Sequence, residues 1–227
     1  RDKAIPLDAT PRQVVGKAYM DLNTTYYTSY VSLAPQFGFY AYGGDKQWLA
    51  VDTTQGPGRG HLYQAWDYAG CCGPYWANRA TAGAGSFEYP VAIPHNPYWG
   101  VNVVGPEGTL YLAGVSDSAT GYSVARSSTA QHSGTPMAFD GATAVSLGGE
   151  LVYFFDPSPN PGGLRGQIWT GGDASGGPTH GWVYVLASVD PPGSDPMDVH
   201  LARPTDGALP FSAPVRVNDD STTNGAW

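Results

Sequence analysis

The chain has 227 residues, of which 13% are charged and 41% apolar, with a formal net charge of −8. That charge argues against non-specific phosphate binding, so no nucleic-acid partner is expected. The apolar share is too high for a disordered chain, and no apolar run is long enough to span a bilayer. With 31 Gly, 20 Pro, 15 Tyr and 7 Trp, the composition favours many short strands joined by tight turns, within one domain over residues 1–227.

Residues 1–44 open with two prolines, which discourage helix, and continue into an aromatic and Thr-rich stretch that reads as one or two strands. Asn23-Thr24-Thr25 is an acceptor sequon for N-glycosylation. A first unit spans residues 45–94, with strands expected at 46–52, 61–66, 75–79 and 87–93 and a Gly/Pro loop over 53–60. Four antiparallel strands in about 50 residues is the size of one propeller blade.

A second unit, residues 97–155, has strands expected at 101–105, 109–114, 122–126 and 150–155, with a less regular span from Ser127 to Gly149. The third unit, 165–220, has strands near 167–173, 183–188, 198–203 and 214–218. No amphipathic helix of three turns occurs, so the class is all-β.

The units repeat. Asp52, Pro57, Gly60 and Tyr63 recur 121 residues on as Asp173, Pro178, Gly181 and Tyr184. After three further residues, Arg79, Phe87, Pro90 and Val91 recur as Arg203, Phe211, Pro214 and Val215. A weaker copy runs from Gly108-Thr109-Leu110-Tyr111 to Arg126.

The third copy resembles the bacterial sialidase-like superfamily, whose BNR repeats carry the Asp-box, Ser-x-Asp-x-Gly-x-x-x-Trp/Phe. The residues that carry the resemblance are Asp198 to Arg203, Thr205-Asp206-Gly207, Phe211 and Pro214 to Asn218. It implies a β-propeller of four-stranded antiparallel blades in which the box is a turn between the third and fourth strands, away from the active site. The boxes are degenerate. Pro204 and Ala208 replace the usual Ser and Gly, Ala80, Ala82 and Ala84 fill the box positions of the first unit, and Arg126-Ser127 is not followed by Asp-Gly. Three units and the lead-in make roughly four blades of about 50 residues, against six in sialidases. The expectation is an incomplete ring or a fragment of a six-bladed propeller, with a partner chain as one way to complete it.

A sialidase would also need an arginine triad, a Tyr–Glu pair and an acid/base Asp. Arg12 is followed by Gln13 and Val14, not by the family's Ile-Pro, and Arg79, Arg126 and Arg203 recur in register as one structural place. None of the three glutamates, Glu88, Glu107 and Glu150, has a spacing that names a partner Tyr. No G-x-S-x-G elbow, P-loop or H-E-x-x-H motif is present. His61, His95, His132, His180 and His200 are scattered, and His61 and His180 read as surface turn residues.

Three features remain. The loops after Asp52 and Asp173 each put an Asp at a strand end before a Gly/Pro turn, an arrangement that either binds calcium or caps the turn through an Asx hydrogen bond. No cofactor is required; calcium is the one candidate. Trp66, Tyr75, Trp76, Tyr98, Trp99 and Trp182 offer rings for stacking on sugars, against inter-blade packing as the alternative. Adjacent Cys71-Cys72 read as free buried thiols or as a strained vicinal disulfide. The function expected is a secreted, extracellular glycan-binding or interaction scaffold, its partner a carbohydrate or another protein chain. A glycoside hydrolase completed elsewhere and a structural subunit of an extracellular assembly are the competing readings.

Overall fold

The computed structural model describes residues 44–68, 76–84, 86–116, 121–151, 168–195, 197–204 and 210–221. The lead-in, Tyr75, Cys71-Cys72 and Asp206 lie outside the described residues.

Among the described residues, thirteen strands form three antiparallel sheets, each built mainly of consecutive strands. The first sheet runs β1 (Gly44–Val51), β2 (Leu62–Tyr68), β3 (Trp76–Ala80), β4 (Val91–Ala92). The second runs β5 (Tyr98–Val104), β6 (Leu110–Val115), β7 (Tyr122–Ser127), β8 (Gly141–Val145). The third runs β10 (Ile168–Gly172), β11 (Val183–Asp190), β12 (Asp198–Ala202), β13 (Val215–Arg216), and β9 (Glu150–Leu151) also pairs with β11. Among the described residues there is no helix, and no helix is long and apolar enough to cross a membrane. Consecutive up-and-down sheets packed face on face make this a partial β-propeller, with the second sheet between the other two.

Alternation along the strands builds two cores. Leu110, Leu112 and Ala125 of the second sheet meet Tyr63, Ala65 and Ala77 of the first, closed by Ala130 and Met137. Ala113, Val115, Tyr122 and Val124, on the opposite face, meet Ile168, Val185, Ala187 and Val189 of the third. Both faces of the middle sheet are therefore apolar, as a blade between two others requires. The far face of the third sheet carries Tyr184, Leu186 and Leu201, half-buried.

One element departs from the sequence reading. Residues 150–155 were expected to belong to the second unit. Leu151 instead pairs with Val189 and Glu150 with Asp190, so β9 lies beside β10 on the same edge of the third sheet. Periodicity identifies a strand but carries no information about a partner almost 40 residues away in sequence.

Candidate functional site

Each sheet has two ends. The turns from first to second strand and from third to fourth lie at one end; the remaining connections lie at the other. The register shows the repeat at every level. Tyr63 faces Arg79 and Tyr111 faces Arg126, and the residue after Ala202, Arg203, takes the same place in the third sheet. Each arginine carbonyl accepts a backbone N–H from the returning chain, from Glu88, Asp140 and Ser212. The three arginines thus occupy one structural place, as their spacing implied.

At the first end, the loops after Asp52 and Asp173 share one backbone. Asp52 N–H donates to His61 O and Asp173 N–H to Trp182 O, both at 2.9 Å. Gly60 and Gly181 donate back to the aspartate carbonyls, with φ of 83° and 84°. Oδ1 of each aspartate accepts from the residue two ahead, Thr54 N at 2.8 Å and Ser175 N at 2.7 Å, giving the Asx turn anticipated from sequence. The structure does not bring Asp52 and Asp173 together, because one belongs to the first sheet and the other to the third.

Their second oxygens differ. Asp173 Oδ2 accepts the Thr179 hydroxyl at 2.6 Å. Hydrogen bonds from Thr179 and Ser175 hold the Asp173 carboxyl below its ordinary range. Asp52 is 1% exposed, and its Oδ2 has no partner, since Gly58 stands where the third loop has Thr179. Among the described residues, no three His, Cys, Asp or Glu side chains gather around a point where a metal could sit.

His61, expected at the surface, is buried, because the chain around Ala130 from the second sheet covers it. Burial and then the Arg79 charge push its pKa down. Arg79 is 1% exposed and holds the two sheets together. It forks onto Glu88 at 2.7 and 2.8 Å and donates to the carbonyls of Ala130, His132 and Thr135 at 2.8 to 2.9 Å.

At the opposite end, all three innermost strands are broken at nearly the same rung. Register shifts by one residue between Asp45 and Trp48 in β1, and between Tyr98 and Val101 in β5. In the third sheet the break falls between Leu151 and Ile168. Such irregularities re-aim side chains at sheet rims. His95, Asn96 and Trp99 adopt φ of 59°, 39° and 50° leading into β5, where buried Asp67 accepts from Trp99 N at 2.8 Å. Non-glycine residues in this region cost energy that surrounding contacts must offset.

Directly after two of these breaks stand Trp48 and Trp169. Their rings meet edge to face with centroids 5.2 Å apart, and Trp169 is 58% exposed. The middle sheet has Val101 in the equivalent place. Sequence reasoning passed over this pair, although Trp48 and Trp169 are 121 residues apart, the same offset as Asp52 and Asp173. Of the rings singled out from sequence, Trp66 is buried and Trp76, Tyr98, Trp99 and Trp182 are half-buried. Trp182 carries Arg203 at 5.2 Å over its face. Beside the third break, Glu150 and Asp190 are direct cross-strand partners, both exposed.

No protein-family model and no curated protein matches the chain. Among solved structures, it is similar to a mutant of the α-L-arabinofuranosidase Arb93A from Fusarium graminearum, at 13% identity and TM-score 0.44, over 80% of this chain and 48% of that one. A protein of unknown function from Dyadobacter fermentans matches at 13% identity and TM-score 0.42, over 80% and 52%. A GH43_12 protein from a capybara gut metagenome matches at 12% identity and TM-score 0.37, over 70% and 28%. The chain spans about half the length of the Fusarium protein.

Proposed function

We propose that this chain is a carbohydrate-binding β-propeller module that takes its ligand at the end where the innermost strands break. The observation that carries this reading is Trp169, more than half exposed and steadied edge-on by Trp48. A ring held this way keeps its shape while offering a face, and stacking on a sugar uses the apolar area that water otherwise covers. Bulged strands and left-handed residues supply irregular backbone around it. The finer reading is a secreted, sialidase-like scaffold. It is supported by the shared arginine place and by the turns that return to it. The half-buried far face of the third sheet suits a further blade, from this or a partner chain.

A glycan array probed with the whole chain tests the proposal. Binding that falls on Trp169→Ala is expected. No glycan bound at millimolar level, or binding indifferent to that change, would sink it.

A second reading, a glycoside hydrolase, is favoured by Glu150 and Asp190. As direct antiparallel partners they place two exposed carboxyl side chains on neighbouring strands, and a glycosidase needs a pair of carboxylates flanking the sugar. Release of chromophore from sialoside and other aryl-glycosides, lost in Glu150→Gln, supports it; no turnover across the panel rejects it.

A further inference from the structure

Between β1 and β10, which carry Trp48 and Trp169, stands β5, and it packs against both. The chain enters β5 through a distorted stretch that the stacking of a sugar on Trp169 alone does not require. Tyr98 pairs with Val115 and Val101 with Ala113, so Trp99 and Gly100 together oppose Gly114 in a bulge of one residue. His95, Asn96 and Trp99 have φ of 59°, 39° and 50°.

The three are not equal. Histidine and asparagine enter the left-handed region more readily than most side chains, whereas a bulky aromatic there is an outlier. A bulge whose first residue is left-handed normally places glycine in it. This chain does put glycine at other positive-φ turns, Gly60, Gly108 and Gly181 among them. Around Trp99 the glycines stand next door. A Cβ at Gly100 would lie 2.8 Å from Ala113 O, and one at Gly114 would lie 2.6 Å from Tyr98 O. Both glycines serve close approach of backbone, while the strained position itself keeps a tryptophan.

The surroundings hold it there. Asp67, 3% exposed near the end of β2, accepts the Trp99 N–H on Oδ2 at 2.8 Å. Asn96 N–H donates to Ile93 O at 3.2 Å, and Pro97 is buried. The Tyr98 ring lies 5.7 Å from the Trp99 ring, tilted by 39°. The indole thus rests against the core between the second and third sheets and stays half-buried. Packing alone does not ask for this arrangement, because a ring kept for the core would be covered and glycine would relieve the backbone. Strain that neighbours over-determine in this way gathers at ligand clamps.

We propose that Trp99 is a second sugar-stacking position beside Trp169, so that the site takes an oligosaccharide and not a single sugar ring. This rests on the carbohydrate-binding reading above. Sheets packed face to face lie about 10 Å apart, a separation that one pyranose does not bridge and a short chain does. His95, exposed, and Asn96, half-buried, bring polar groups to the same entry, where sugar hydroxyls need partners. Asp67 is a positioning residue, holding the backbone that aims the ring.

The test compares matched probes on the whole chain by calorimetry: glucose with cellopentaose, xylose with xylopentaose, and arabinose with arabinopentaose. At least one pentasaccharide is expected to bind about tenfold or more tighter than its monosaccharide. Trp99→Gly should remove most of that preference with the thermal midpoint little changed, since relief of the left-handed position offsets the half-buried area lost. Trp99→Phe keeps a ring and should retain part of the preference. A tryptophan with a merely structural role gives the reverse, a fallen midpoint with the preference intact. Binding that depends on Trp169 but is equal for monosaccharide and pentasaccharide, or a preference untouched by Trp99→Gly, overturns the second position alone. No binding of any probe overturns both readings. The comparison of probes on the wild-type chain decides the matter even if Trp99→Gly fails to fold.

Discussion

The first and third sheets carry the same polar positions and put them to different uses. Asp52 and Asp173 cap identical turns, and Arg79 and Arg203 end equivalent strands. In the first sheet both are almost fully buried against the second sheet. In the third, Asp173 and Arg203 lie toward solvent, satisfied by Thr179 and by the Trp182 ring. The backbone of the repeat is thus set by its Asx turn and left-handed glycine. What the position does depends on whether a neighbouring sheet covers it.

The largest effect expected from that contrast is at Arg79. Arg79→Met strands Glu88 and three carbonyls, and breaking a buried, hydrogen-bonded pair costs about 3–5 kcal/mol. Arg126, half exposed and 3.5 Å from Asp140, is the control, with a loss of about 0–1 kcal/mol expected from Arg126→Met. Denaturant melts of the two variants decide the matter. Equal losses would erase the distinction between buried and exposed copies.

Next comes Gly58. A Cβ there would lie 2.4 Å from Asp52 Oδ2 and 2.9 Å from Gln131 Cβ of the second sheet. Thr179 stands at the same place in the third loop, where its hydroxyl donates to Asp173 Oδ2. Gly58→Ala is therefore expected to cost about 1–3 kcal/mol by overpacking, measured as a lower denaturation midpoint. A neutral outcome would mean that Gln131 moves freely and that the two sheets are not locked there.

Gly60 and Gly181 sharpen the comparison in the opposite sense. Both sit at φ near 83°, where an L side chain is strained, so alanine costs about 1–2 kcal/mol at either. A Cβ at Gly60 would also meet Ala82 at 3.3 Å, whereas nothing lies near Gly181. Gly60→Ala is expected to be the worse of the two by a few tenths of a kcal/mol, and an inverted order would contradict the packing described.

Much of this architecture is legible in the amino-acid order. The strands near Asp52, Tyr63, Arg79, Tyr111 and Tyr184 follow from alternation and turn residues, and the common offset gives their equivalence. The turn chemistry of Asp173 was also readable, because Ser175 and Thr179 are local. What escaped was non-local. His61 is inside because residues near Ala130 cover it, about 70 positions on. β9 joins the third sheet across a long excursion, and Trp48 of the first sheet meets Trp169 of the third. Local pattern says which residues repeat; only packing says which repeats are covered, and hence which can carry a site.

The smallest effect expected concerns pH at the junction between the second and third sheets. His180 Nε2 lies 3.1 Å from Glu107 Oε1, and its Nδ1 contacts the Ser175 carbonyl. The Ser175 carbonyl first, then Glu107 and more weakly Asp173, raise the His180 pKa above its ordinary value, against a small opposing effect of desolvation. A histidine whose folded pKa is raised stabilises the fold when both states are protonated, below about pH 6.5, and that contribution fades as pH climbs through the folded value. Wild type should thus exceed Glu107→Gln in thermal midpoint at about pH 5.5 and match it by about pH 8.5. Salt should shrink the gap, because both groups are exposed. A difference independent of pH would mean that Glu107 acts through its turn, between Gly105 and Thr109, and not through His180. In that case the third loop would be tied to its neighbour by shape alone, and the contrast with the first sheet's charged junction would be larger still.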